Sequence, residues 1–155
     1  MTKPYAWIFD IDGTVADITH RAHLIEKSAD RPTIDWDDFF KDMHLDSLFP
    51  WAKDLVDICR LREYNILFVT GRSEKYRERT EQWFFDKLRL YPPQYQMFMR
   101  ETDNYIQDDL MKEDILKNRI LPHFDVGVVV EDRRRVVDMY RRNGLRVLHV
   151  EDGNY

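Results

Sequence analysis

The chain has 155 residues, of which 43% are hydrophobic and 14% aromatic, with only five glycines and six prolines. This length is typical of one compact domain with one core, and the composition excludes collagen, low-complexity disorder and a disulfide-rich scaffold. The formal net charge of -5 excludes bulk electrostatic attraction to nucleic acid or anionic lipid, so any contact with a polyanion must be local.

Short apolar runs rich in β-branched and aromatic residues alternate along the chain with longer segments of helical period. This alternation predicts an α/β fold with a mostly parallel sheet and helices on both of its faces. The predicted strands are, in chain order, 5–9, 65–69, 96–99, 126–130 and 145–150. The apolar spacing predicts helices over 51–62, around 76–88, over 109–121 and over 133–143, the last closed by Gly144.

The segment 16–50 interrupts this alternation, because it is far longer than a usual connection between a strand and a helix. We predict that it forms a small cap inserted into a single domain that spans residues 1–155. Within the cap, the patterns predict one short helix over 18–27 and another directly after Asp35, whose side chain would cap it.

The sequence carries no recognisable targeting signal. No apolar run approaches the roughly 20 residues that span a bilayer, and the first residues lead into a strand instead of a signal-peptide core. The single cysteine, Cys59, lies in a helical pattern. This position favours a buried, unreactive thiol over a catalytic nucleophile. We therefore predict a cytoplasmic protein without membrane contact.

Carboxylates follow two of the predicted strands, Asp10 and Asp12 after the first and Glu131 and Asp132 after the fourth. Because the carboxyl ends of parallel strands lie at one edge of the sheet, these side chains should converge. Clustered carboxylates repel one another unless a cation neutralises them, and an all-oxygen site suits Mg²⁺. We therefore expect bound Mg²⁺, with four candidate ligands, Asp10, Asp12, Glu131 and Asp132.

The spacing of the first two carboxylates suggests a division of labour, since alternate residues leaving a strand share one face. Asp10 would attack as the nucleophile and form an aspartyl-phosphate, while Asp12 would protonate the leaving oxygen and later activate water. Gly13 permits a sharp turn, and Thr14 can donate a hydrogen bond nearby. The alternative is a solvated acidic turn, but the four fixed residues of Asp-x-Asp-Gly-Thr favour function.

The pattern from Asp10 to Thr14 after an apolar strand resembles the first motif of the haloacid dehalogenase (HAD) superfamily of phosphotransferases. Thr70 resembles the hydroxyl of the second motif, which hydrogen-bonds the transferring phosphoryl group. Lys112 resembles the lysine of the third motif, which offsets charge on the nucleophile and the phosphate. The resemblance implies a Rossmann-like HAD fold and a Mg²⁺-dependent phosphomonoesterase, with catalytic residues Asp10, Asp12, Thr70 and Lys112.

The pair Glu131-Asp132 resembles the acidic fourth motif of the superfamily, in which Asp132 would ligate Mg²⁺. In most members this pair is Asp-Asp. The role of Glu131 therefore stays open.

Within the superfamily, the chain resembles the 3′-phosphatase domain of phage polynucleotide kinase-phosphatase and its stand-alone phage and bacterial relatives. The resemblance covers roughly residues 5–15 and 64–155, whereas 16–50 matches far less well. It implies that the substrate is the 3′-phosphate of a nucleic acid or a nucleotide. No Gly-x-x-x-x-Gly-Lys-Ser/Thr pattern occurs, so we expect the kinase half to be absent. The most specific likeness lies in three segments, 108–112, 122–126 and 131–144.

Five further residues are candidates for substrate binding. Arg72, which follows Gly71 at a strand end, would clamp two phosphate oxygens, although surface ion pairs are the commoner use of arginine. Arg133 begins a run of three arginines near a helix start, where a phosphate or a carboxylate would offset the unfavourable dipole. His20 and Arg21 would lean over the site from the cap and contact the substrate.

Two other patterns in the cap have weaker functional interpretations. Trp36 is a candidate for stacking on a base, but its helical spacing with Phe39 and Phe40 favours burial in the core. His20 and His23 have the spacing of two zinc ligands, but the sequence has no further His or Cys cluster to complete a zinc site.

Two alternative functions stay open at the level of sequence. The same chemistry would serve a phosphatase for nucleoside 5′-phosphates or small metabolites. A receiver-like signalling module also groups acidic residues on a doubly wound sheet, but its phosphorylated Asp follows the third strand, where this chain has Arg100, Glu101 and Thr102. The sequence does not indicate the oligomeric state.

Overall fold

The computed structural model describes residues 2–28 and 33–153. Its centre is a five-stranded sheet in which all neighbouring strands run parallel. The strands of the protein, in chain order, are β1 (Tyr5–Phe9), β2 (Ala16–Asp17), β3 (Ser47–Leu48), β4 (Asn65–Ser73), β5 (Gln96–Arg100), β6 (Asp125–Glu131) and β7 (Val147–His149). The sheet has the order β5-β4-β1-β6-β7, so β1 is its central strand.

Five α-helices lie around this sheet in the described part of the chain: α1 (Trp36–Lys41), α2 (Pro50–Leu61), α3 (Arg77–Leu88), α4 (Asp108–Ile115) and α5 (Arg134–Arg142). Apolar residues of α2 and α3 pack with one face of the sheet, and those of α4 and α5 pack with the other. Side chains of β1 alternate between the two cores, with Ile8 in one and Phe9 in the other. The predicted α/β fold with a mostly parallel sheet is therefore confirmed.

The largest differences between observed and predicted element boundaries lie in three places. β4 continues four residues beyond its predicted end, because Ser73 pairs with Arg100 after an irregularity in the register. The third predicted helix ends as an α-helix at Ile115 and continues as a π-helical turn over Leu116–Ile120. β7 is shorter than predicted. The predicted helix end is confirmed at Gly144, whose φ is 80°, in the left-handed region.

The excursion between β1 and α2 is closed at its base by β2 and β3, which pair antiparallel. It contains a 3₁₀ helix over Thr19–Ile25, where an ordinary short helix was predicted, and α1. The Asp35 side chain accepts a hydrogen bond from the backbone N–H of Asp38, so the predicted cap of α1 is confirmed. Residues 29–32 of the predicted cap insertion lie outside the described residues.

The aromatic residues of α1 divide between the core and the surface. Phe39 and Phe40 are buried in the core that also contains Trp83 and Phe84 of α3. Trp36 is 42% exposed, so the expectation that it belongs to the core is wrong. Cys59 is buried in α2, as predicted, and burial raises the pKa of its thiol to about 12. None of the helices in the described ranges has the length and apolar composition that a bilayer crossing requires.

Candidate active site

A tight turn directly after β1 presents Asp10 at the edge of the sheet. Gly13 adopts a φ of 81°, and the backbone N–H of Thr14 donates to the carbonyl of Ile11. The turn brings the Thr14 hydroxyl to 3.0 Å from Asp10 Oδ2 and 3.2 Å from Asp132 Oδ1. Thr14 therefore links the carboxylate after β1 to the carboxylate after β6.

Asp10, Glu131 and Asp132 form a buried acidic cluster, in which one oxygen of each lies within 4.8 Å of the others. Glu131 Oε1 accepts hydrogen bonds from the backbone N–H groups of Asp132 and Arg133, both at 3.1 Å. The glutamate side chain is one methylene longer than an aspartate side chain, and these bonds fold it back onto the backbone that follows Glu131. An all-oxygen set of this kind can hold a hard divalent cation.

The Lys112 ammonium is the protein's own positive charge beside this cluster. Its Nζ lies 2.8 Å from Asp10 Oδ1, 3.0 Å from Glu131 Oε2 and 3.5 Å from Asp108 Oδ2. Burial by itself would lower the pKa of Lys112, but the charges of these three carboxylates raise it well above its usual value. Lys112 is therefore charged, and it holds Asp10 in position.

The acidic surroundings shift the proton affinity of two carboxyls in the cluster. Burial raises the pKa of Asp10 to about 7, with Lys112 acting against the shift and Asp132 adding to it. Burial and the neighbouring Asp10 likewise raise the pKa of Glu131 well above its usual range. The single charge of Lys112 thus does not fully compensate the negative charge of the carboxylates, and a further cation would be stabilised here.

Asp12 lies beside two buried arginines, Arg21 and Arg72. Arg72 Nε and Nη2 lie 3.0 and 2.7 Å from the two Asp12 oxygens, and Arg21 Nη2 lies 2.6 Å from Oδ1. Burial by itself would raise the pKa of Asp12, but the charges of Arg72 and Arg21 outweigh it and hold that pKa well below its usual range. Asp12 is therefore ionised in this state.

A second carboxylate, Asp46 of the cap, completes the network. Asp46 accepts hydrogen bonds from Arg21 Nε at 2.8 Å and Nη2 at 2.7 Å, and its Oδ2 lies 3.4 Å from Arg72 Nη2. His20 Nε2 lies 2.8 Å from Asp46 Oδ1. Arg21, Arg72 and Asp46 are all fully buried or nearly so. The two guanidinium groups thus connect the turn after β1 to the cap.

The five residues predicted to bind substrate occupy different positions. Arg21 and Arg72 lie in the buried network, and His20 contacts Asp46 of the same network. The structure does not place these three residues among those that line the cavity. Gly71 and Arg133 line the cavity above Asp10. A Cβ at Gly71 would lie 2.6 Å from Asp108 Oδ1, so the glycine permits this close approach.

The predicted catalytic Thr70 is buried at the point where β4 leaves the core. Its Oγ1 accepts a hydrogen bond from the backbone N–H of Arg72 at 3.1 Å. This bond lies within the irregular part of β4 that carries Gly71 and Arg72.

Two acidic residues of the site were missed by the sequence analysis. Asp108 lies 3.1 Å from Arg100, 3.4 Å from Arg133 and 3.5 Å from Lys112, and it lines the cavity. Its position four residues before Lys112 on one helix face was an available signal. Asp46 carried no local signal, because its partners are brought to it only by tertiary structure.

The site opens into a cavity of about 430 Å³. Asp10, Asp12, Lys112, Glu131 and Asp132 line its acidic floor. Side chains of α1 and of the loop between β5 and α4 line its mouth. The cavity therefore joins a reactive carboxylate to an aromatic entrance.

The model of the family described as the polynucleotide kinase PNKP phosphatase domain matches residues 4–155. The fold is similar to a chain in the structure of the Pnkp1/Rnl/Hen1 RNA repair complex, with a TM-score of 0.82 and 25% identity over 99% of this chain and 44% of that chain. This protein thus spans less than half the length of that chain.

Two more distant structures share the fold. A class C acid phosphatase from Bacillus anthracis with tungstate bound has a TM-score of 0.64 and 13% identity, and the match covers 100% of this chain and 69% of that one. A putative beta-phosphoglucomutase from Thermotoga maritima has a TM-score of 0.58 and 16% identity, over 97% of this chain and 88% of that one.

Asp46→Asn is expected to destabilise the protein and to slow turnover. The change leaves two buried guanidinium groups with one carboxylate, which should lower the free energy of unfolding by about 3 kcal/mol. The loosened Arg21 and Arg72 should misplace Asp12 and lower kcat for an aryl phosphate by about tenfold to a hundredfold. Urea unfolding and steady-state kinetics measure both effects. Asp42→Asn, an exposed carboxylate of the same segment, is the control, and wild-type kcat in Asp46→Asn would contradict this role.

Proposed function

The chain belongs to the polynucleotide kinase PNKP phosphatase domain family, and we propose that it removes terminal 3′-phosphates from nucleic acids or nucleotides by a Mg²⁺-dependent mechanism through an aspartyl-phosphate. The match confirms the resemblance to HAD phosphatases, and it supports a phosphatase activity of the polynucleotide 3′-phosphatase type. A similar chain lies in an RNA repair complex, which supports a nucleic-acid substrate. We do not propose a receiver-like signalling function, because the matched family is a phosphatase domain.

The observation that carries the proposed mechanism is the position of Asp10. Its carboxylate lies at the floor of the cavity, 2.8 Å from the Lys112 ammonium and beside Asp132. We propose that Asp10 attacks phosphorus while the bond from phosphorus to the leaving oxygen breaks. Lys112 offsets the charge that gathers on Asp10 and on the phosphoryl group. Water then attacks the aspartyl-phosphate, releases phosphate and restores Asp10.

Asp10 and Asp132, with Glu131 beside them, would hold Mg²⁺, since their clustered oxygens are the donors that this ion prefers. The bound ion would supply positive charge to the carboxylates and to the phosphoryl oxygens. The Asp12 carboxylate is not proposed as a ligand, because both of its oxygens accept hydrogen bonds from guanidinium groups.

Asp12 is proposed as the residue that protonates the leaving oxygen and later takes a proton from water. Its ionised state between two arginines suits the second of these tasks directly. For the first task, a bound phosphoryl group brings negative charge beside Asp12, and like charge raises the pKa of a carboxyl. We therefore propose that Asp12 takes up its proton with the substrate, while Arg21 and Arg72 orient its carboxyl.

The phosphoryl group is proposed to bind between Lys112, the Thr70 hydroxyl and the backbone at Gly71. Arg133, which lines the cavity at the start of α5, is proposed to contact an adjacent phosphate. Cytoplasmic location and a single catalytic domain with 16–50 as its cap also remain proposals.

Asp10→Asn should abolish turnover, because an amide does not attack phosphorus. Asp12→Asn should lower kcat by about 10²- to 10⁴-fold for alkyl phosphates, since it removes proton transfer to the leaving oxygen. The loss should be smaller for aryl phosphates, which are better leaving groups. Steady-state kinetics across a series of leaving groups measures the difference. An equal loss for both classes would contradict the role of Asp12 as the acid.

Mg²⁺ should stabilise the protein more at high pH than at low pH. The folded-state pKa of Asp10, about 7, lies above its ordinary value of 3.8, so the metal-free protein loses stability as pH rises through this interval. A bound cation replaces the proton and removes this loss. Thermal melts with EDTA or millimolar Mg²⁺ between about pH 5 and pH 8 measure the effect. In Asp10→Asn the shift should depend much less on pH, and melts unaffected by Mg²⁺ in the wild type would contradict the metal site.

The substrate proposal is tested by comparing kcat/KM for four phosphomonoesters: a 3′-phosphorylated oligonucleotide, a nucleoside 3′-phosphate, a nucleoside 5′-phosphate and a sugar phosphate. We expect the first two to be preferred and the binding of the oligonucleotide to depend only weakly on salt, because a chain with a net charge of -5 makes few backbone contacts. A preference for either of the last two substrates would overturn the 3′-end specificity and leave the phosphatase chemistry intact.

A further inference from the structure

Two exposed aromatic side chains face the entrance of the catalytic cavity from different elements. Trp36 of α1 is 42% exposed, and Tyr105 of the loop between β5 and α4 is 76% exposed. Both residues line the cavity above Asp10, and both also line a second recess of about 480 Å³. Lys27 and Lys75 are the other two residues that the cavity and the recess share. These four side chains therefore lie between the cavity and the recess.

The Trp36 ring is held in place before any ligand binds. It stacks on Phe40 with ring centroids 6.2 Å apart and planes at 23°, and it meets Phe39 edge to face at 5.9 Å. Phe39 and Phe40 are buried in the core. A ring backed in this way loses little rotamer freedom when a second flat group stacks on it.

The loop that carries Tyr105 is fixed to the catalytic site by Arg100. The Arg100 Nη1 donates to the carbonyl oxygens of Asn104 at 3.3 Å and Ile106 at 2.6 Å, the two residues that flank Tyr105 in the sequence. Its Nε donates to the Gly71 carbonyl, and its Nη2 donates to Asp108. The position of Tyr105 is therefore tied to residues that line the same cavity as Asp10.

We propose that Trp36 and Tyr105 form a subsite for the base of the terminal nucleotide, and that Lys27 contacts the phosphodiester that precedes it. This inference rests on the proposed function, since the terminal phosphate must lie at Asp10 for the base to reach the entrance. Aromatic faces stack on any base and so tolerate sequence, and an exposed ammonium suits a diester.

The charges of the recess limit how much nucleic acid the subsite can hold. Asp35 and Asp37 line the recess together with Lys27 and Lys75, and Lys75 forms an ion pair with Asp37. This mixed surface does not favour a long run of phosphates. Recognition should therefore extend over the terminal nucleotide and one preceding phosphodiester.

The test compares a nucleoside 3′-phosphate with the matching abasic sugar 3′-phosphate on the same preparation of enzyme. Taking the ratio of their kcat/KM values removes any effect of partly inactive protein. In Trp36→Ala and in Tyr105→Ala this ratio should fall about tenfold, mainly through KM for the nucleotide. Trp36→Phe should restore most of the ratio because it keeps an aromatic face.

Tyr91→Ala removes a tyrosine that is 53% exposed and lies outside both the cavity and the recess, and it should leave the ratio unchanged. In Lys27→Ala, the advantage of a 3′-phosphorylated dinucleotide over a nucleoside 3′-phosphate should shrink several-fold. An unchanged ratio in both aromatic variants would overturn the base subsite, and an unchanged dinucleotide advantage would overturn the role of Lys27.

The failure of this inference is distinguishable from the failure of the proposed function. If the wild-type enzyme prefers 3′-phosphates but the aromatic variants keep the wild-type ratio, only the subsite is wrong. If the wild-type enzyme prefers 5′-phosphates or sugar phosphates, the 3′-end function is wrong, and the subsite is overturned with it.

Discussion

The mutual repulsion of carboxylates at the ends of β1 and β6 is the constraint on which the rest of the site depends. These strands are neighbours in the sheet, so Asp10, Glu131 and Asp132 must meet in a buried space. Lys112 enters from α4 and supplies one compensating charge. Burial, together with the charge of the neighbouring carboxylates, raises the pKa of Asp10 and Glu131, and a divalent cation would be stabilised at this position.

A second charge network joins the segment 16–50 to the turn after β1. Arg21 and Arg72 are each shared between Asp12 and Asp46, so neither guanidinium is left uncompensated in the core. This arrangement explains why two arginines that suggested phosphate binding are buried. In their position they orient Asp12 and keep it ionised, so under the proposed mechanism the negative charge of the bound substrate has to raise the pKa of Asp12.

The segment 16–50, which we propose to be a cap, contributes to the site in two physically different ways. Asp46 reaches into the buried network and contributes to the orientation of catalytic groups, whereas Trp36 stays at the surface and shapes the entrance. The segment that carries both residues returns to the sheet through the antiparallel pair of β2 and β3. Under the proposed function, the strand ends carry the chemistry and this segment contributes to substrate choice.

The sequence by itself determined the alternation of strands and helices, the turn of Asp10 to Thr14 and the convergence of Glu131 and Asp132, because periodicity and strand-end position are local properties. It also indicated Lys112 through a family motif. Only the tertiary structure decided that Arg21 and Arg72 bind Asp12, that Asp46 completes their network, and that Trp36 lies at the cavity entrance beside Tyr105. Except for Arg21 and Asp12, which are nine residues apart, these contacts join residues at least 25 positions apart, and their geometry follows from how the segment 16–50 packs on the rest of the fold, which no local pattern encodes.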